Sequence, residues 1–356
     1  MPTLFDPITL GGVTFANRAW LSSMCMYSCE AGDGVPTQWQ LVHLGSRAVG
    51  GFGLVMTEAS AVLPEGRISP QDAGIWNETQ AAAWAPIVDF VHRRGARMGA
   101  QLAHAGRKAS ARRPFPGEPR GPVDAADGGW RPVAPSALAY PGLAEPQALT
   151  EAGIVGVIDA FAAAARRAVA SGFDVVEVHA AHGYLLHQFY SPLSNRRDDD
   201  WGGDFTGRTR LVREVVTAVR TAVPADRALF VRISATDWTE GGWDVPDSVR
   251  LAADLERLGV DLVDVSSGGN VSRVAVRPYP GYLVDYATAV RAAGIPASAV
   301  GLITEPEQAQ AIITGERADA VFVARAALRN PYWALHAAHD LGVTPSFPDQ
   351  YVRGAW

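Results

Sequence analysis

Ser171-Gly172-Phe173-Asp174-Val175-Val176-Glu177-Val178-His179-Ala180-Ala181-His182-Gly183-Tyr184 passes from a helix-patterned segment through a β-branched run into a group of polar side chains. Upstream, Glu151 to Ser171 has helical period and opens after a cap residue, Thr150. Asp174 to His179 reads as a strand. The same alternation recurs along the chain, with strands expected at Ala19 to Ser23, Leu54 to Ala59, Arg97 to Leu102, Leu229 to Ile233, Leu262 to Ser266, Ser298 to Leu302 and Ala320 to Ala324. Further helices are expected at Glu78 to Arg94, Gly207 to Val223, Pro246 to Leu258, Tyr282 to Ala293 and Pro306 to Thr314, with Asp247 and Thr304 as further caps.

Eight strand-helix units in series predict an α/β fold, a single (β/α)8 TIM barrel spanning residues 1–356, with an N-terminal hairpin as its cap. An open doubly wound sheet would carry a glycine fingerprint after the first strand, and Ser22-Ser23-Met24-Cys25-Met26-Tyr27 has none. Residues 107–149 are rich in Pro and Gly and lack a helical pattern, so they are read as a lid loop over the barrel mouth after strand 3. Residues 344–356 form a C-terminal tail.

The chain of 356 residues has 31 Lys+Arg against 37 Asp+Glu, a formal charge of −6. With 48% hydrophobic and 19% charged residues, it is too apolar for a disordered chain and carries no basic excess for nucleic acid. Cys25 and Cys29 are too few for a disulfide framework and lack metal-motif spacing, which points to a reducing compartment. No leader or membrane span is read, and a cytoplasmic location is expected.

In a barrel, the chemistry lies at the C-terminal ends of the strands. The fourth strand ends with His179 and His182, three apart, and Tyr184 beyond them. Two imidazole N–H groups can bind one carbonyl or nitro oxygen, and a phenol is protonated at neutral pH and can donate. The same histidines can be read as metal ligands, with His104 or His187 as a third. Gln101 sits inside an apolar strand and either bonds backbone or reads a heterocycle edge. Arg232 puts a permanent charge at the end of strand 5, where burial demands a negative partner. After strands 7 and 8, Gly301 and the pair Ala324-Arg325 stand where many barrels bind phosphate.

Taken together, these residues resemble the old yellow enzyme family of flavin-dependent ene-reductases, in its shorter bacterial subgroup. The resemblance runs from Leu4-Phe5-Asp6-Pro7 through Met24-Cys25-Met26-Tyr27-Ser28, Gln101-Leu102-Ala103-His104-Ala105-Gly106-Arg107-Lys108 and His179 to Tyr184. Its most specific piece is Gln188-Phe189-Tyr190-Ser191-Pro192-Leu193-Ser194-Asn195-Arg196-Arg197 with Trp201-Gly202-Gly203. It implies a non-covalent FMN across the barrel mouth and NAD(P)H as reductant. Ser22, Ser23, Met24, Cys25, Ala59 and Gln101 would line the flavin ring, Arg232 would face its N1 and O2 edge, and Gly301, Ala324 and Arg325 would hold the phosphate. His179 and His182 would bind an activated alkene through its oxygen, Tyr184 would donate the proton, and Tyr27 would be a further substrate contact. Cys25 would tune the flavin potential or simply pack.

Two positions depart from the family pattern: Ser23 stands where proline is usual, and Ala324 where glycine is frequent. The first removes a φ constraint, and the second adds a methyl where backbone approaches phosphate. The tail carries Tyr351-Val352-Arg353-Gly354 shortly before Trp356, similar to the subgroup ending that reaches a neighbouring active site. This implies a homodimer or a dimer of dimers in which Arg353 lines the partner's pocket. The competing functions are a non-redox lyase or aldolase acting on a phosphorylated substrate, with Lys108 as an amine nucleophile, and a metal-dependent hydrolase.

Overall fold

The computed structural model describes residues 1–356. Strands β1 (Ile8–Leu10) and β2 (Val13–Phe15) form an antiparallel hairpin. The strands that follow in a ring are β3 (Ala19–Leu21), β4 (Leu54–Ala61), β5 (Arg97–Ala103), β8 (Val175–Ala180), β9 (Ala228–Ser234), β10 (Leu262–Ser266), β11 (Ala297–Ala299) and β12 (Ala320–Val323). All eight neighbouring pairs are parallel, and β12 pairs back onto β3 to close the barrel. A small parallel pair, β6 (Val133–Ala134) and β7 (Gln147–Ala148), lies in the long segment after β5. The helices are α1 (Gln38–Val49), α2 (Glu78–His92), α3 (Glu151–Ala170), α4 (Leu185–Tyr190), α5 (Phe205–Ala222), α6 (Val245–Arg257), α7 (Val284–Arg291), α8 (Pro306–Thr314), α9 (Arg325–Arg329) and α10 (Trp333–Asp340). None is long and apolar enough to cross a membrane.

Period-two alternation sorts every strand into an outer and an inner row. On β9, Leu229, Val231 and Ile233 pack outward against the helices with Val176, Val178 and Ala180 of β8. Ala228 and Phe230 point inward to a second core that holds Trp20, Leu54, Val175, Leu262 and Phe322. The hairpin closes the bottom of this inner core, with Phe15 4.9 Å from Trp20, which in turn stacks on Phe230 at 5.8 Å. Higher up the same inner row, the residues turn polar: Gln101, Glu177, Arg232, Asp264 and Ser298 are all buried. An apolar floor under a polar upper layer thus places the reactive side chains at one end of the barrel.

Several boundaries move from their sequence positions for local reasons. The seventh strand stops at Ala299 rather than Leu302 because Gly301 and Leu302 adopt φ of 112° and 52°, outside the β region. Helix α6 is capped by Asp244, whose side chain accepts from the Asp247 amide, so Asp247 is inside the helix and is not its cap. Helix α8 follows Glu305, and Thr304 bonds to it through its amide, which donates to Gln308 Oε1, instead of through a side-chain cap. Helix α1 was not expected, although Thr37 and Gln40 form a reciprocal capping box at its start.

The segment 107–149 is tied to the barrel mouth. Lys108 Nζ donates to the carbonyls of His182 (2.8 Å) and Gly269 (3.0 Å), and Arg107 Nη2 donates to that of Asn270 (2.7 Å). The tail packs on its own barrel: Trp356 stacks on His339 with ring centroids 4.6 Å apart, and Tyr351 lies beside Tyr332 at 6.1 Å.

Candidate active site

The polar layer is a hydrogen-bonded chain. Ser23 Oγ donates to Gln101 Oε1 at 2.7 Å, and Gln101 Nε2 donates to Glu177 Oε1 at 2.7 Å. Beside it, Arg232 Nε pairs with Asp264 Oδ2 at 2.9 Å, and Ser298 donates to Asp264 Oδ1 at 2.9 Å. Arg232 is therefore not an unpaired guanidinium; β9 and β10 stand in a register that sets it directly opposite Asp264. Burial, reinforced by the Asp264 charge, pushes the Glu177 carboxyl up, since one guanidinium cannot compensate two buried carboxylates. Sequence reasoning passed over Asp264 and Glu177. Their signal was the one that marked Gln101, a polar residue on the inward phase of an apolar strand.

Ser23 replaces the ring constraint of a proline with a bond that fixes the Gln101 amide. Ser23→Ala is expected to cost about 0.5–1.5 kcal/mol, read as a lower urea midpoint. An unchanged midpoint would show that the Gln101 amide is held without it.

Past β8 the chain makes a tight turn in which every backbone group has a partner. The Ala181 amide donates to His179 Nδ1 (3.1 Å), the His182 amide to Ser234 Oγ (2.9 Å), the Gly183 amide to His187 Nδ1 (2.9 Å) and the Tyr184 amide to the Ala181 carbonyl (3.1 Å). Gly183 holds φ of 70°, and a Cβ there would collide with the Gly269 carbonyl, so only glycine fits. His182 also holds positive φ, 58°, which aims its ring across His179 with ring centroids 5.1 Å apart. The Tyr184 ring lies 5.0 Å from His179 and packs under the Lys108 ammonium, also at 5.0 Å.

Burial, then the Arg232 charge, holds His179 and His182 well below the usual imidazole range, so both are neutral donors. Burial lifts the Tyr184 phenol well above its ordinary value, so it keeps its proton. Burial, with Arg107 nearby, brings Lys108 down to about 8, but its ammonium is spent on two carbonyls, which leaves no free amine for a nucleophile. The metal reading finds no third ligand. His187 is fully buried against Asp237 at 2.9 Å, His104 Nδ1 accepts from the Gly106 amide, and no three His, Cys, Asp or Glu side chains converge.

Opposite the histidines, the cleft, about 210 Å³ and open at its mouth, is lined by Gly301, Leu302, Ile303, Ala324 and Arg325. Gly301 holds φ of 112°, a backbone turn that suits glycine. The first amides of α9 have no partners within the helix, and the exposed Arg325 guanidinium stands beside them. This donor set suits a phosphate dianion. Ala324 sits at φ of −108°, so its methyl imposes no left-handed backbone. Phosphate donors at one wall, and Ser22, Gln101 and Arg232 on the floor, suit the phosphate and the polar ring edge of FMN.

Ser22, Ser23, Cys25, Gln101, His179, His182, Tyr184, Arg232, Gly301, Ala324 and Arg325 all border this one cleft. Four candidates do not. Met24 packs against the outer core, Ala59 lies behind Tyr184 next to Asp72, and Tyr27 is set edge-on to Phe115 at 6.1 Å. Arg353 is exposed in the tail. Burial and the nearby Asp72 and Glu58 charges push the Cys25 thiol up, so it is a thiol and not a thiolate. Ser266 lines the cleft beside His182 and went unnoticed, because a serine ending a strand carries no signal of its own.

A model of the NADH:flavin oxidoreductase / NADH oxidase family matches residues 3–343. The chain is 45% identical over 354 residues to an NADPH dehydrogenase of Halalkalibacterium halodurans, covering 99% of this chain and 98% of that protein. It is 46% identical over 358 residues to an NADPH dehydrogenase of Listeria monocytogenes, covering 100% of both. Among solved structures, morphinone reductase superposes with a TM-score of 0.80 at 29% identity, over 98% of this chain and 92% of that one. The chain therefore belongs to this family, that of the old yellow enzyme, and is an FMN-dependent NAD(P)H oxidoreductase.

Proposed function

We propose that the protein is an ene-reductase that reduces alkenes activated by a carbonyl or nitro group. The observation that carries this reading is the placement of two neutral imidazoles and a protonated phenol on one wall of the cleft that holds the phosphate cradle. FMN bound there supplies hydride transfer, from NAD(P)H in one half-reaction and to the β-carbon of the alkene in the other. His179 and His182 hold the electron-withdrawing oxygen and stabilise the negative charge that grows on it. Tyr184 keeps its proton through the first half-reaction and delivers it to the α-carbon in the second. Arg232, anchored by Asp264, and the amide of Gln101, anchored by Ser23 and Glu177, would hold the polar ring edge of the cofactor. Gly301, Ala324 and Arg325 would hold its phosphate, and Ser22 and Cys25 would line the ring.

The test is rapid mixing of the two half-reactions. NAD(P)H alone should bleach the yellow colour, and an enone such as cyclohexenone should restore it, with ping-pong kinetics. Bleaching that requires the alkene would overturn the shared-site reading. Tyr184→Phe should leave reduction by NAD(P)H intact and slow reoxidation by the alkene about 10²–10⁴-fold, the range for a positioned proton donor. Equal damage to both halves would remove Tyr184 from that role.

Arg353 borders no part of its own cleft, and Tyr351 (45%), Val352 (63%) and Trp356 (57%) are exposed beside it. An apolar, exposed tail bearing a guanidinium supports a two-fold dimer in which each Arg353 enters the other subunit's site. Mixing Arg353→Ala subunits with Tyr184→Phe subunits then gives heterodimers with one fully defective and one fully native site. Activity above the average of the two parent dimers is expected. Truncation after Val352 that alters neither oligomeric state nor substrate kinetics would sink the proposal.

A further inference from the structure

The hydrogen bonds around the two imidazoles fix where their protons sit. The Ala181 amide donates to His179 Nδ1, so neutral His179 carries its proton on Nε2. That nitrogen lies 3.3 Å from His182 Nδ1, which in the free protein is therefore the acceptor. His182 then carries its proton on Nε2 and donates it to Ser266 Oγ at 2.7 Å. Each ring has one donor, and the chain of bonds ends on a rotatable hydroxyl.

An anionic oxygen held between the rings changes what is required. An oxygen seated between the two nitrogens that already face each other, His179 Nε2 and His182 Nδ1, requires both to be donors. His179 already is one. His182 must hold its proton on Nδ1, which leaves a bare lone pair on Nε2 in a part-buried contact with Ser266. In the free site burial and the Arg232 charge hold this ring neutral; a second proton taken up with the anion is the competing outcome, and it keeps Nε2–H where the switch removes it.

Resting on the reading that these histidines bind the substrate oxygen, we propose that Ser266 is a positioning residue that switches the His182 tautomer. Its hydroxyl accepts from Nε2–H in the free site and donates to bare Nε2 when an anionic oxygen is bound. In the switch, one proton leaves Nε2 and one arrives at Nδ1 by way of solvent water, with no net uptake. The hydroxyl turns about its Cβ–Oγ bond to follow. Serine suits this because a hydroxyl is donor and acceptor at once. An alanine leaves bare Nε2 without a partner, a penalty equivalent to about tenfold in binding.

The probe is 4-nitrophenolate, bound to the FMN-loaded protein labelled with ¹⁵N-histidine, with affinity read by absorbance and the tautomer by ring ¹⁵N shifts. In the native protein, the probe is expected to move the His182 proton from Nε2 to Nδ1. Ser266→Ala should bind about tenfold more weakly and lose the shift, and Ser266→Thr, which keeps the hydroxyl, should restore both. Ser266→Cys, a weak donor of similar size, should fall between them and serves if the alanine variant loses FMN. Native His182 that keeps Nε2–H with probe bound, or Ser266→Ala that binds and shifts like the native protein, would overturn the inference. His179→Ala separates the two levels. If it leaves probe binding unchanged, the oxygen-binding reading itself fails; if it weakens binding while Ser266→Ala does not, only the tautomer switch fails.

Discussion

Replacing His187 by alanine should cost the folded protein about 1–3 kcal/mol, the range for leaving a buried polar group without its partner. His187 and Asp237 both have fully buried side chains, and Nε2 stands 2.9 Å from Oδ1. The other carboxylate oxygen accepts from Ser191 Oγ (2.5 Å) and the Trp243 amide (3.0 Å). Burial alone would raise the Asp237 carboxyl, but His187 and these donors outweigh it, and the group lies below the usual carboxylate range. The stability it brings is therefore complete above the unfolded value, about 3.9, and is lost as pH falls through the lower folded value. His187 Nδ1 also takes the Gly183 amide, so the loss reaches the turn that carries His182 and Tyr184. Urea unfolding at neutral pH measures the effect. His187→Gln keeps a donor for Asp237, and His187→Asn keeps an acceptor for Gly183. Stability should return in the first variant and phenolate binding in the second. A His187→Ala protein within 1 kcal/mol of the native one would show that Asp237 finds another partner.

His179→Ala or His182→Ala should raise the barrier to alkene reduction by about 2.7–4 kcal/mol, a loss of 10²–10³ in rate. The size follows from where the donors stand. His179 is buried, His182 is half-buried and both are neutral, in a site where charge developing on a substrate oxygen meets few competing waters. Rapid mixing with alkene after reduction isolates this step, and FMN content should be unchanged because neither ring belongs to the phosphate wall. A variant that reoxidises at the native rate would place the substrate oxygen elsewhere. One that loses FMN would make the histidine a cofactor ligand.

The barrel and the inventory of its mouth were legible in the sequence because both depend on local rules. Period two assigns each strand residue to an inner or outer row, and a polar residue on the inner phase, such as Gln101 or Arg232, stands out against apolar neighbours. Gly301 and Ala324-Arg325 follow the last two strands, so their place beside the cleft came from strand counting alone. Helix α1 was written there too, in the capping box of Thr37 and Gln40 that opens its twelve residues.

What the sequence could not supply was partnership. The row of a residue says which way its side chain points, but its neighbour depends on the register between strands and on the stagger that closes the barrel. Asp264 faces Arg232 because β10 pairs with β9 in one particular register. Ser266 meets His182 across 84 residues of chain, and Gln101 meets Glu177 across 76. His187, equally eligible in the sequence as a metal ligand, turns to Asp237 because α4 packs its inner face on the barrel instead of the cleft. Sequence determined which chemical groups reach the barrel mouth, since side-chain direction follows from local backbone geometry. Tertiary structure alone decided which of them carry charge and which nitrogen holds a proton, since both depend on partners that only the closed barrel brings within 3 Å or so.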